Sequence, residues 1–197
     1  MRVLTSHATN PIVRRRAISH PAHMARRKKP QQGRVELARR RFYAEQALRT
    51  CEELFLSGVF DHPSNSTGVQ HHAAVTLLLV SLADLCRMAW DAGCMLEPEE
   101  PATGPGVEDF HDLAQICRDA ACHIGSHYKL APPGIWLDLV TLTGVGRMTP
   151  DLPGCEYPDD TALIFGPYRL YIGRHAVSAV KAARSNFDRI WPRDPLR

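Results

Sequence analysis

The sequence predicts an all-α fold, an up-and-down bundle of four to five helices with a small β-hairpin inserted before the last helix. Three observations lead there. Four long stretches carry apolar residues at helical spacing, each closed by glycine- or proline-rich punctuation. Only two short segments are rich in β-formers. The composition (197 residues, 44% hydrophobic, 23% charged, 7% aromatic) is that of a chain able to build one core. It excludes a wholly disordered chain, a disulfide-stapled miniprotein and a polytopic membrane protein.

The first helix begins near Arg34 and carries Leu37, Ala44, Leu48, Cys51 and Phe55 to about Ser57, with Gly58 as its stop. A turn-rich stretch follows at 61–68. The second helix, 69–91, has the clearest stripe, Val75, Leu78, Leu79, Leu82, Leu85, Cys86 and Ala89. The proline- and glycine-rich segment 97–106 reads as a loop. A third helix is expected over 107–125, with Phe110, Leu113, Cys117, Ala121 and Ile124 facing inward. After Pro132-Pro133-Gly134, segments 135–143 and 161–165 are expected to pair as a hairpin across the Pro/Gly-rich stretch between them. The last helix carries Ile172, Ala176, Val180, Ala183, Phe187 and Trp191 until Pro192 ends it.

A net charge of +3 hides an asymmetry. Eight of the 24 Lys and Arg lie in residues 1–33, which hold no Asp or Glu, leaving 16 basic against 21 acidic residues beyond. A basic, disordered tail (1–33) is therefore expected ahead of a slightly acidic domain (34–197). Arg14, Arg15, Arg16, Arg26, Arg27, Lys28 and Lys29 are its candidate nucleic-acid contacts, through phosphate neutralisation. A solubilising leader is the competing reading. The N-terminus lacks the apolar stretch of a secretory signal, and the longest apolar run, 73–83, is too short for a membrane span, so no membrane partner is expected. The six cysteines form no CxxC pair, and Cys51, Cys86 and Cys117 fall on apolar helix faces. Reduced core thiols and a cytoplasmic protein are the expectation.

The chemistry is expected in Cys117-Arg118-Asp119-Ala120-Ala121-Cys122-His123-Ile124-Gly125-Ser126, whose Arg, polar residue and His late in an amphipathic helix resemble the HEPN family, a resemblance that implies cleavage of RNA. Cleaving RNA with its own 2′-hydroxyl needs a base for that proton, and an imidazole, titrating near pH ~6.5, suits the task. The charge growing on the phosphoryl oxygens suits a guanidinium with paired donors. His123 and Arg118 are the candidates for these two roles, with Asp119 orienting an Arg or a His. Residues five apart in a regular helix point about 140° apart, so Arg118 and His123 of one chain are expected to share a site only across a two-fold axis.

This pattern, an Arg, a polar residue, a few spacers and a His late in an amphipathic helix, resembles the HEPN family. Arg118, Asp119 and His123 take the three positions, although the family commonly has Asn where Asp119 stands. The segment 159–171 also looks like uncharacterised HEPN-like proteins. The resemblance spans roughly residues 35–191. It implies a metal-independent endoribonuclease without cofactor, acting on RNA as a homodimer. It further implies a toxin or phage-defence effector, in some cases neutralised by an antitoxin or other regulatory protein partner. The alternative is a non-catalytic HEPN-like dimerisation or interaction module that binds a protein partner or nucleic acid, with Arg118 and His123 in structural roles.

Other constellations are weaker. His123 and His127 have the i, i+4 spacing of two metal ligands, but no Glu stands between them as in HExxH, and Gly125 is expected to break the helix first. His71 and His72 read as first-turn surface residues, and His111 and Arg174-His175 as solvent-facing or cleft-lining. Tyr168 and Tyr171 are expected to pack on the core, base stacking being the competing reading. No phosphate-binding loop, dinucleotide fingerprint or GxSxG elbow is present.

Overall fold

The computed structural model describes residues 30–61, 68–132 and 134–193. Three helices come first, α1 (Pro30–Leu56), α2 (Val69–Asp91) and α3 (Phe110–Cys122). Two hairpin strands follow, β1 (Leu130–Ala131) and β2 (Ile135–Trp136), then a three-stranded meander, β3 (Val140–Thr143), β4 (Thr161–Phe165) and β5 (Tyr168–Tyr171). A π-helical turn, Ile172–Val177, leads into α4 (Ser178–Ser185) and the short α5 (Phe187–Ile190). The seven basic residues read as nucleic-acid contacts lie outside the described residues. Helix α1 starts at Pro30, inside the stretch assigned to the tail.

The all-α expectation is overturned. The chain is about 52% helical and 12% strand, in two small antiparallel sheets, and the fold is mixed α/β. Strand β4 is the reason. All five of its residues are buried, because both faces of the meander are covered. Leu163, Phe165, Tyr168 and Leu170 point into the helical core, while Ala162, Ile164 and Tyr171 join Ala131, Leu137, Leu152 and Cys155 in a second, smaller core. The sheet is thus a layer between two cores rather than a hairpin inserted into a bundle. The expected pairing is present as Val140↔Ile164 through Thr143↔Thr161. A third strand, β5, is added through the turn at Gly166, whose φ of +51° suits glycine.

Helix α2 is the centre of the helical core and packs on both α1 and α3. Its Val75, Leu78, Leu79, Leu82, Leu85 and Ala89 are solvent-free, as are Leu48 and Cys51 of α1 and Leu113 and Cys117 of α3. Among the described residues α2 alone is long and apolar enough to cross a membrane, and here most of that window is covered by protein. The last predicted helix is broken by Asn186 and opens as a π-turn. Buried Asp160 holds that opening: its carboxylate accepts from Gly173 N (2.7 Å), Arg174 N (2.9 Å) and Thr161 N (2.7 Å), and from the Arg174 guanidinium at 3.2 Å. A Cβ at residue 173 would lie 2.9 Å from Asp160 Oδ2, so this contact requires Gly173. Arg41 fastens α1 to the C-terminal end, donating to the Trp191 carbonyl and to Asp188 (2.7 Å) and lying 4.7 Å over the Phe187 ring.

Candidate functional site at the end of α3

Helix α3 starts on Asp109, whose side chain accepts from Asp112 N at 2.9 Å. It buries Phe110, Leu113, Ala114, Cys117 and Ala120. Helical spacing then turns Arg118, Asp119 and Cys122 outward. The helix ends at Cys122, not Gly125. His123 is its cap, with extended backbone (φ −117°, ψ 114°), and its N–H donates to Asp119 O. The helical angle expected between Arg118 and His123 therefore does not apply, because His123 has already left the helix.

Arg118 is oriented from two sides. Its Nε lies 3.2 Å from Asp119 Oδ1, and its Nη2 donates to Gln115 Oε1 at 2.9 Å. Gln115 in turn donates to the Ala83 carbonyl of α2 at 3.3 Å. The guanidinium is thus tethered to the central helix while Nη1 keeps no partner among the described residues. Asp119 thus pairs with Arg118 of its own chain.

Beyond the cap the chain turns back. Ser126 N–H donates to the His123 carbonyl (3.1 Å), and a single 3-10 turn, His127–Lys129, follows. An open groove of about 590 Å³ results, with Asp119, His123, His127 and Tyr128 in its wall. Arg118 is not part of this wall. The His123 side chain is exposed and has no hydrogen bond, ion pair or ring contact among the described residues. The His127 ring lies against Tyr128, tilted by 41° with centroids 4.0 Å apart. Tyr128 meets Tyr168 edge-on at 5.7 Å, and the Tyr168 hydroxyl donates to Pro105 O. Lys129, 4% exposed, is bound to Asp138 at 2.5 Å.

The remaining candidates fall elsewhere. His71 is buried, not at the surface, with Nε2 3.2 Å from Thr141 Oγ1. His111 lies against Trp90, 5.6 Å between rings. His175 is 2% exposed; burial holds its imidazole below the ordinary range, and its Nδ1 accepts from Tyr171 N at 3.1 Å. Arg174 is paired with Asp159 and Asp160. Tyr168 and Tyr171 are core residues. Among the described residues no third ligand joins His123 and His127. A larger groove of about 680 Å³ runs between α1 and α2, but Glu36–Arg40 and Asp84–Arg87 pair within it and it holds no nucleophile or base constellation.

Comparison with family models, with characterised proteins and with solved structures gave no match. The functional reading therefore stands on this groove alone. Sequence reasoning missed the place of His127 and Tyr128 in it. The available signal was Gly125-Ser126, which marks a turn able to fold the next residues back beside His123.

Proposed function

We propose that the chain is a metal-independent endoribonuclease of HEPN type, acting as a homodimer through the exposed ends of α3. The observation that carries this reading is an exposed imidazole, His123, without a partner among the described residues, at the end of the helix whose Arg118 guanidinium is held in place by Asp119 and Gln115. In this reading His123 takes the 2′-hydroxyl proton as that oxygen attacks phosphorus. Arg118 holds the non-bridging oxygens as charge builds on them. The products are a 2′,3′-cyclic phosphate and a 5′-hydroxyl end, and no metal enters.

Because Arg118 stands outside the wall that His123 lines, a second copy supplies the Arg across a two-fold axis. Exposed apolar residues beside the groove favour such pairing. Ile124 is 91% exposed, and Leu130 and Trp136, register partners across β1 and β2, are each about half exposed. Growth arrest on expression, relieved by a neutralising partner, is the biological setting this activity would suit.

A mixing experiment tests the composite site. Arg118→Ala and His123→Ala proteins are each expected to be inactive. A re-equilibrated equal mixture should regain about a quarter of wild-type activity, since half the dimers are mixed and each carries one intact site. No recovery from a mixture shown to exchange subunits would refute the shared site.

A further inference from the structure

A 2′-hydroxyl attack needs two proton transfers. One group removes the proton from the 2′-oxygen, and another protonates the 5′-oxygen as its bond to phosphorus breaks. His123 accounts for the first, and neither Arg118 nor Asp119 is placed for the second: a guanidinium keeps its proton, and the Asp119 carboxyl is engaged with Arg118 at 3.2 Å.

We propose that His127 is the general acid of this site, so that one chain carries both proton-transfer groups. The assignment rests on the endoribonuclease reading and deepens it. Its basis is the turn after α3: Ser126 N–H closes onto the His123 carbonyl at 3.1 Å, which brings His127 back to the wall that His123 lines. Both side chains are exposed, and His127 makes no hydrogen bond among the described residues, so its ring nitrogens are open to a ligand in the groove.

The ring is also held in place, which a proton donor requires. The His127 ring rests tilted against Tyr128 with centroids 4.0 Å apart, Tyr128 lies against Tyr168, and the Tyr168 hydroxyl is tied to Pro105 O at 3.1 Å. Below it, Lys129 is buried on its bond to Asp138, and the backbone of 128–129 lies so close to Gly166 that a Cβ there would sit 2.3 Å from Tyr128 O. The exposed imidazole thus stands on a fixed base.

The step balances. The 2′-oxygen bonds to phosphorus and gives its proton to neutral His123. The P–O5′ bond breaks, and the departing 5′-oxygen takes a proton from the imidazolium of His127. The two histidines end with exchanged protonation states, which solvent resets.

Leaving-group chemistry tests the assignment. Full-length wild type, His123→Ala and His127→Ala, each checked for native circular dichroism, are assayed on an RNA oligonucleotide and on uridine 3′-(4-nitrophenyl phosphate). The nitrophenolate leaves without being protonated. His127→Ala is expected to lose about 100-fold or more on RNA and to return to within several-fold of wild type on the aryl ester. His123→Ala should stay low on both. Unchanged RNA cleavage by His127→Ala, or an equal loss on both substrates, overturns the assignment while leaving the endoribonuclease reading intact. A wild type silent on both substrates overturns that reading, and this assignment with it.

Discussion

Replacing Asp160 with Ala should cost the fold about 3–5 kcal/mol. The carboxylate is 4% exposed and accepts three backbone N–H groups, of Thr161, Gly173 and Arg174. A fully buried donor left unpaired costs about 1–3 kcal/mol, and since the Gly173 and Arg174 bonds are only part-buried, each of those two is set at about 1 kcal/mol. The Arg174 guanidinium, with 27% of its side chain exposed, can turn to Asp159 and water, so its loss adds little. For a chain of this size the total corresponds to a fall in Tm of about 6–20 °C. Asp160→Asn keeps an acceptor and should lose about 1–2 kcal/mol. Thermal and urea unfolding, followed by circular dichroism, check both values; a midpoint shift at constant m would place the effect in the folded state. A change below about 0.5 kcal/mol for Asp160→Ala would refute the role given to this cap.

Three further outcomes follow from the same packing. Burial lowers the folded-state pKa of His175, so its contribution to stability is complete above the unfolded value near pH ~6.5 and is lost as pH falls from there through the folded value. Unfolding free energy measured from pH 8 to 5 should show this loss, and His175→Gln should flatten it; an unchanged slope would contradict it. Burial pushes the Cys51 thiol up to about 12 and raises Cys86 and Cys117 as well, so in the native protein a thiol reagent should modify exposed Cys122 and half-buried Cys94 first. Equal rates at all six cysteines would be inconsistent with this core. Gly166→Ala, at φ +51° and against Tyr128 O, should cost about 1–3 kcal/mol by urea titration and lower any groove-dependent activity; wild-type values for both would show that the backbone there yields freely.

The helices were legible because their stripes are long and their punctuation strong. Predicted and observed limits coincide for α2, where an unbroken apolar face meets glycines at both ends. The strands were less so. After Thr161, Ala-Leu-Ile-Phe is apolar without a break because the sheet has a core on each side, and periodicity does not distinguish that from a short buried helix. Tyr168–Tyr171 became a strand only because Gly166 turns the chain back, a tertiary result of the close approach to Tyr128. At the site, residue types pointed to Arg118, Asp119 and His123, but the path of the chain after Cys122 was misjudged. Treating 107–125 as one helix put His127 out of play, whereas an early cap and a three-residue turn set it beside His123. His71 shows the opposite error: a histidine in a first turn looked exposed until β3 covered it.

The central claim is that Arg118 and His123 cleave RNA without a metal. Purified wild type, Arg118→Ala and His123→Ala should be incubated with a broad RNA panel in excess chelator, with oligomeric state measured on the same samples. The account predicts cleavage by the wild-type dimer alone, leaving 2′,3′-cyclic phosphate and 5′-hydroxyl ends. Cleavage that survives His123→Ala, or a folded wild-type dimer that cuts no RNA in the panel, would contradict it and favour an interaction module in which these residues serve the fold.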